Sequence, residues 1–278
     1  MRAGCVRARA RVQALWPALW PVRGLSLALA LIPALVLAFA PMPARASDPS
    51  ALWHIVNGQC VPDEQTKHDP TPCAEVDIAD GVAQGYALLK DIRGAAQFLL
   101  IPTARISGID DPEILAPDAV NYFAAAWRAR YFTEERLGAP QPRDVIILAI
   151  NSAYGRTQDQ LHIHIDCVRA DVRAALKANL DKIQGVWTPF PVKLAGHMYR
   201  AIRLNQETLD DTNPFNVLAD KDPAAAAAMK RQTLVLVGED FPDGSKGFVL
   251  LNGTADPAEG NFGSGEELQD HSCATASQ

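Results

Sequence analysis

The stretch that most constrains the fold is 160–166, where Gln, His, His and Asp alternate with Leu, Ile and Ile. A strand sends successive side chains to opposite faces, so Gln160, His162, His164 and Asp166 share one face while Leu161, Ile163 and Ile165 turn to a core. Just upstream, 145–150 is a continuous apolar run rich in β-branched residues, and Asn-Ser-Ala-Tyr-Gly at 151–155 supplies a turn. The two runs predict an antiparallel hairpin with one polar face. Two imidazoles one pleat apart suit nucleophilic chemistry, because a neutral ring nitrogen attacks phosphorus while a neighbouring group fixes the tautomer.

The rest of the chain bounds what this hairpin serves. At 278 residues and 48% apolar content there is ample material for a core. The first 46 residues hold six arginines, no lysine and no acid, leaving 20 basic against 32 acidic side chains, a formal −12, in the remainder. A domain so acidic is poorly matched to a nucleic-acid partner. Segment 1–46 has a basic start, an apolar run at 25–40 and Ala44-Arg45-Ala46 before Ser47, which reads as an export signal. That run falls short of the roughly 20 apolar residues of a spanning helix. The apolar stretch 12–22 with Trp16 and Trp20 adds a possible interface anchor, so a cleaved signal and a retained anchor both stand on the residues alone. Cys60, Cys73, Cys167 and Cys273 in an exported chain predict two disulfides. Of three connectivities we favour Cys60–Cys73 and Cys167–Cys273, the second pinning the C-terminal tail beside the histidine strand.

Along the chain, 51–57 opens as a short helix or strand and 59–72 reads as loop. Strands at 86–90 and 97–101 form a hairpin around Asp91-Ile92-Arg93-Gly94, and a helix runs from 118 to 130 with Pro117 at its start. After the histidine strand, Asp171 caps a helix through Leu180. Residues 205–220 are polar and turn-rich, 223–230 is an alanine-rich helix, and 233–238 with 247–252 form a second hairpin. Segment 247–256 resembles 97–105, which raises the hypothesis that the C-terminal part, about 183–278, is a degenerate second half. His54, His68 and His271 fall on loops and read as surface residues. Arg200 and Arg203 suit strand ends or phosphate.

With these residues in view, 160–165 resembles the signature of the histidine-triad superfamily of nucleotide hydrolases and transferases, three histidines at alternate positions followed by apolar residues. Gln160 takes the first histidine position, a departure known in branches that lean towards nucleotidyl transfer, and His162 and His164 take the second and third. Gln-Phe-Leu-Leu-Ile-Pro-Thr-Ala-Arg-Ile at 97–106 is similar to that family's strand-Pro-basic-Ile segment. Together with Trp-His-Ile-Val-Asn-Gly-Gln-Cys-Val-Pro at 53–62, it points to the CDP-diacylglycerol pyrophosphatase branch.

The resemblance implies an α+β fold, a histidine-triad-like antiparallel sheet with packed helices, spanning 47–278 behind the 1–46 signal or anchor. It implies a hydrolase of phospholipid metabolism in which His162 is the nucleophile, helped by Gln160 and His164. Asn151, Gly155 and Thr157 would lie on the substrate phosphates. No cofactor or metal is required. The substrate would be a liponucleotide split into CMP and phosphatidate at the inner membrane, with the domain facing the periplasm. Two other readings compete: a zinc hydrolase built on His162-x-His164-x-Asp166, and an exported ligand-binding protein without catalysis.

Overall fold

A computed structural model of the chain describes residues 48–277; the predicted signal or anchor lies outside the described residues. Apolar β-branched runs form an antiparallel sheet of nine strands: β1 (Glu75–Asp77), β2 (Tyr86–Lys90), β3 (Phe98–Pro102), β4 (Ile146–Ile150), β5 (Ile163–Cys167), β6 (Thr188–Pro189), β7 (Arg200–Leu204), β8 (Gln232–Asp240) and β9 (Lys246–Thr254). Their spatial order is β1-β2-β3-β5-β4-β8-β9-β7-β6. The architecture is the expected α+β with an antiparallel sheet.

That order repeats itself. From the outside inwards, β2-β3-β5-β4 and β6-β7-β9-β8 have the same sequence logic, with β4 and β8 meeting antiparallel at the centre. In the first half α3 (Tyr122–Ala129) and α4 (Tyr131–Leu137) bridge the outer hairpin to the inner one. In the second, α6 (Pro214–Lys221) and α7 (Pro223–Ala226) do so. The C-terminal part is therefore a topological second half, and 232–254 lies in a hairpin equivalent to β4–β5. The local match of 247–256 to 97–105 pairs the wrong strands, since β9 corresponds to the histidine strand β5 and β7 corresponds to β3. Strands buried on both faces all read as apolar runs, so their likeness reports burial and not equivalence.

The packed helices lie on both faces of the sheet. On one face Phe123 and Trp127 of α3 and Phe215 and Leu218 of α6 cover Ile146, Leu148, Ile163, Ile165, Leu234 and Leu250. The Phe123 and Phe215 rings meet edge-on at 5.1 Å. Each such side chain taken fully from water contributes about 1.5–3 kcal/mol. The other face carries two separate apolar clusters. Val172 and Leu176 of α5 (Ala170–Lys177), with Phe190, Leu194 and Leu268, cover Ile147, Ala149, Val235 and Val237. A helical segment, 51–67, covers Ala87, Leu99 and Ile101.

Several local expectations are corrected. The stretch read as loop at 59–72 is helical to Lys67, running from α1 (Ala51–Ile55) through a wide turn (Val56–Cys60) into α2 (Val61–Lys67). Pro62 sits in the first turn of α2, where its missing N–H is not needed. Helix α3 starts at Tyr122 and not at 118, because the Asn121 side chain accepts from Ala124 N and caps it there. Asp171 lies inside α5 and pairs with Arg169 instead of capping. The polar 205–220 stretch contains α6, capped by Asn213 with Pro214 at its first turn. Both favoured disulfides are present, Cys60–Cys73 and Cys167–Cys273.

Candidate active site

Register places the histidines in the seam between the two clusters of the second face. His164 lies opposite Leu99 of β3 on one side and Ala149 of β4 on the other. Leu99 belongs to the cluster under 51–67, and Ala149 to the cluster under α5 and the tail. As the alternation requires, Leu161, Ile163 and Ile165 join the opposite core. Gln160, His162, His164 and Asp166 share the seam face, and all four are buried.

His162 is held in one tautomer. Its Nδ1 lies 2.7 Å from the main-chain carbonyl of Gln160. A carbonyl only accepts, so Nδ1 carries the proton and Nε2 keeps a lone pair. Among the described residues Nε2 has no hydrogen-bond partner. Burial lowers the pKa of the ring below its ordinary 6.5, against the opposing pull of the Gln160 carbonyl and the Glu266 and Asp91 carboxylates. The result is a neutral imidazole with one free basic nitrogen.

Gln160 is wholly buried and held through its amide. Its Nε2 donates to the carbonyls of Pro102 at 3.0 Å and Ala104 at 2.8 Å, which fixes the amide and turns Oε1 to Arg105 Nη1 at 3.3 Å. The Arg105 guanidinium lies 5.2 Å over the Trp53 ring and has no carboxylate partner among the described residues. A positive charge is thus held beside the Gln160 side chain.

His164 is held through Nδ1. The Gln97 side-chain amide lies 2.7 Å from Nδ1, and Nε2 lies 3.3 Å from Glu266 Oε1. An amide nitrogen only donates, so Gln97 donates to Nδ1 and the ring proton lies on Nε2, which makes no hydrogen bond among the described residues. Burial, then the neighbouring His162, His271 and Arg93, hold its pKa well below 6.5, so the contact with Glu266 joins a neutral ring to a carboxylate.

Glu266 comes from the C-terminal tail. Asn151 Nδ2 donates to Glu266 Oε1 at 2.6 Å, and Asn151 Oδ1 accepts from Gly265 N at 2.8 Å. The tail reaches this depth because Gly265 lies on the sheet: a Cβ there would come within 3.0 Å of Ala149 and Val235. Gly155 is equally constrained, since its Cβ would meet the Phe262 and Gly263 carbonyls at 2.9 Å. Asn151 and Gly155 therefore anchor the tail. Thr157 is exposed on the connecting loop and makes no side-chain hydrogen bond among the described residues, so only Asn151 of the three expected phosphate residues touches the group around the histidines.

Asp166 lies on the same face of β5. It is fully buried and accepts from His271 Nδ1 at 2.7 Å, with its carboxyl pushed up to about 6 chiefly by burial. His271, expected at the surface, is tied down by this bond and by the neighbouring Cys167–Cys273 bridge. His54 and His68 are exposed, as expected. Arg200 pairs with Asp222 and Arg203 with Asp243, so both serve strand ends. For the zinc reading, the one group of three or more convergent ligand atoms among the described residues is Asp166, Cys167 and Cys273, and both cysteines are spent in a disulfide. His162, His164 and Asp166 do not converge as that reading needs.

Residues 47–277 match the family model described as CDP-diacylglycerol pyrophosphatase. A curated protein of Yersinia pestis named CDP-diacylglycerol pyrophosphatase is 47% identical over 229 residues, covering 82% of this chain and 86% of that protein.

Proposed function

The chain belongs to the CDP-diacylglycerol pyrophosphatase family, and from that premise we propose that it splits the pyrophosphate of CDP-diacylglycerol with His162 as nucleophile. The observation that carries this is the tautomer of His162, with Nδ1–H given to the Gln160 carbonyl and Nε2 left basic. In the first step Nε2 attacks the phosphorus that bears cytidine, and the bond to phosphatidate breaks. Water then releases CMP and restores the ring, so one hard hydrolysis becomes two easier displacements. Phosphatidate leaves as an anion and needs no proton. Arg105, held beside Gln160 and without a carboxylate partner among the described residues, is a cation able to receive phosphoryl charge, and His164 offers its Nε2–H.

The same reading puts the domain on the exported side of the inner membrane, carried by 1–46. Two disulfides support an oxidising compartment, and a liponucleotide is met only at a membrane surface. Among the described residues no helix is long and apolar enough to cross a membrane, so attachment rests on the leader. Intact mass of the purified membrane-fraction protein decides retention: a chain beginning at Ser47 would make it a cleaved, soluble periplasmic enzyme.

The catalytic reading is tested with CDP-dipalmitoylglycerol in detergent micelles, comparing the full chain with His162→Ala, each with and without a chelator. CMP release that ignores the chelator and is abolished by the substitution supports the nucleophile. Release that survives in the variant, or collapses with chelator, overturns it.

A further inference from the structure

Attack by His162 is only half of a hydrolysis. A cytidylyl-histidine must be opened by water, and water attacks phosphorus readily only when a base removes its proton. Around the nucleophile few groups can do so. His164 has its Nδ1 lone pair occupied by the Gln97 amide and holds its proton on Nε2, so it has nothing to accept with. Asp166 is wholly buried and bonded to His271. Asp91 is turned into its own hairpin, accepting from Arg93 N at 2.9 Å.

Glu266 is differently placed. Its Oε1 is held by Asn151 and faces His164, while Oε2 has no hydrogen-bond partner among the described residues, and the side chain is 21% exposed. A carboxylate pinned through one oxygen and open through the other suits a group that must meet water in a fixed position. We propose that Glu266 is the general base of the second step, taking the proton of the water that releases the nucleotide from His162. The proposal rests on the covalent reading above.

The step balances without a further reagent. The water oxygen bonds to phosphorus as the P–Nε2 bond breaks, and that bonding pair returns to Nε2. The water proton passes to Glu266 and on to solvent, leaving CMP and neutral His162. The placement also accounts for hydrolysis as the outcome. A phospho-histidine alone hands its nucleotide to any acceptor, whereas a fixed base beside it favours water.

Glu266→Gln isolates the idea, because the amide oxygen still accepts from Asn151 and still faces His164 but cannot take a proton. With CDP-dipalmitoylglycerol labelled in the cytidine phosphate, rapid quench follows phosphatidate release and label on protein. The expected variant gives a phosphatidate burst of one per enzyme at close to the wild-type rate, then turnover lowered about 10²-fold or more. Labelled protein accumulates, and hydroxylamine discharges it. Glu266→Ala, which also removes the Asn151 bond, loses burst and turnover together.

If Glu266→Gln slows burst and turnover equally, with no labelled protein, Glu266 only positions its neighbours and the proposal falls. If it is normal in both phases while His162→Ala is dead, the proposal falls and the covalent reading survives. If no label appears on any form and His162→Ala turns over, the covalent reading falls and takes this one with it. Thermal melting of each variant separates misfolding from chemistry, and Glu266→Asp, expected to retain partial turnover, replaces any Gln variant that melts early.

Discussion

Nδ1 of His162 lies 2.7 Å from the carbonyl oxygen of Gln160, two residues back along the same edge of the chain. That bond leaves the lone pair on Nε2, and burial keeps the ring neutral by lowering its pKa below 6.5. The form of the enzyme that attacks is then the form present at neutral pH. We expect kcat/KM, which reports the free enzyme, to be flat near pH 7 and to fall tenfold per unit on an acid limb lying below 6.5. Stability should fall as pH drops from 6.5 towards that limb, because over this interval the unfolded chain's histidine takes up a proton that the folded one does not. A pH–rate profile with an acid limb above 6.5 contradicts the assignment.

Gln97 decides the proton on His164 by donating to Nδ1. Gln97→Glu places a second carboxylate against the ring, with Glu266 already 3.3 Å from the other nitrogen. Opposite charge within hydrogen-bond reach favours the imidazolium, so the variant's His164 should titrate at a higher pH than the wild type. Histidine Hε1 resonances read this directly. We expect kcat to drop at least tenfold, because a charged, doubly held ring no longer offers its Nε2–H to phosphate. An unmoved His164 titration sinks this account of the tautomer.

The alternation at 160–166 made the histidine strand legible because one of its faces had to enter a core. The inner hairpins and both disulfides were legible for similarly local reasons. Glu266 was not, since it reaches His164 across about 100 residues of chain and its placement depends on Gly265 lying flat on Ala149 and Val235. Spacing along the sequence carries no trace of such docking, although Gly263-x-Gly265 before an acid was a sign of close backbone approach. The helix at 51–67 was hidden by Gly58 and Pro62, which read as breakers yet fall at a wide turn and a helix start. The covering of both faces has its trace in the strands themselves. Central strands here are apolar on both sides, and a one-faced sheet would have shown alternation throughout.

The Cys167–Cys273 bridge ties the tail that carries Glu266 to the histidine strand, across a separation of 106 residues. Closing a loop of about 100 residues is worth roughly 4–5 kcal/mol, against about 3 for one of about 15. The Cys60–Cys73 bridge spans only 13 and lies with the 51–67 helical segment. Replacing Cys167 and Cys273 by serine should therefore lower Tm by on the order of 10 °C and cut kcat with it, while replacing Cys60 and Cys73 should cost less of both. Equal loss of kcat from the two double variants would show that the bridge does not serve the tail's position.

Glu239 on β8 offers a stability test far from the chemistry. Its side chain is buried and Oε1 has no hydrogen-bond partner among the described residues, while Arg173 and Lys177 are already bound to Asp144 at 2.9 and 2.5 Å. Burial first, and the Asp144 charge second, push the Glu239 carboxyl up to about 8 from its ordinary 4.5. A raised carboxyl keeps its proton in the fold and loses it in the unfolded chain, so its contribution is complete below 4.5 and disappears as pH climbs to 8. Glu239→Gln keeps the volume and removes the titration. Melting curves of the two proteins should coincide near pH 4.5 and separate steadily to pH 8, where the variant should be more stable by a few kcal/mol, roughly 5–10 °C. Curves that stay parallel across this range would mean that Glu239 ionises in the fold as readily as in water, and that Arg173 and Lys177 reach it after all.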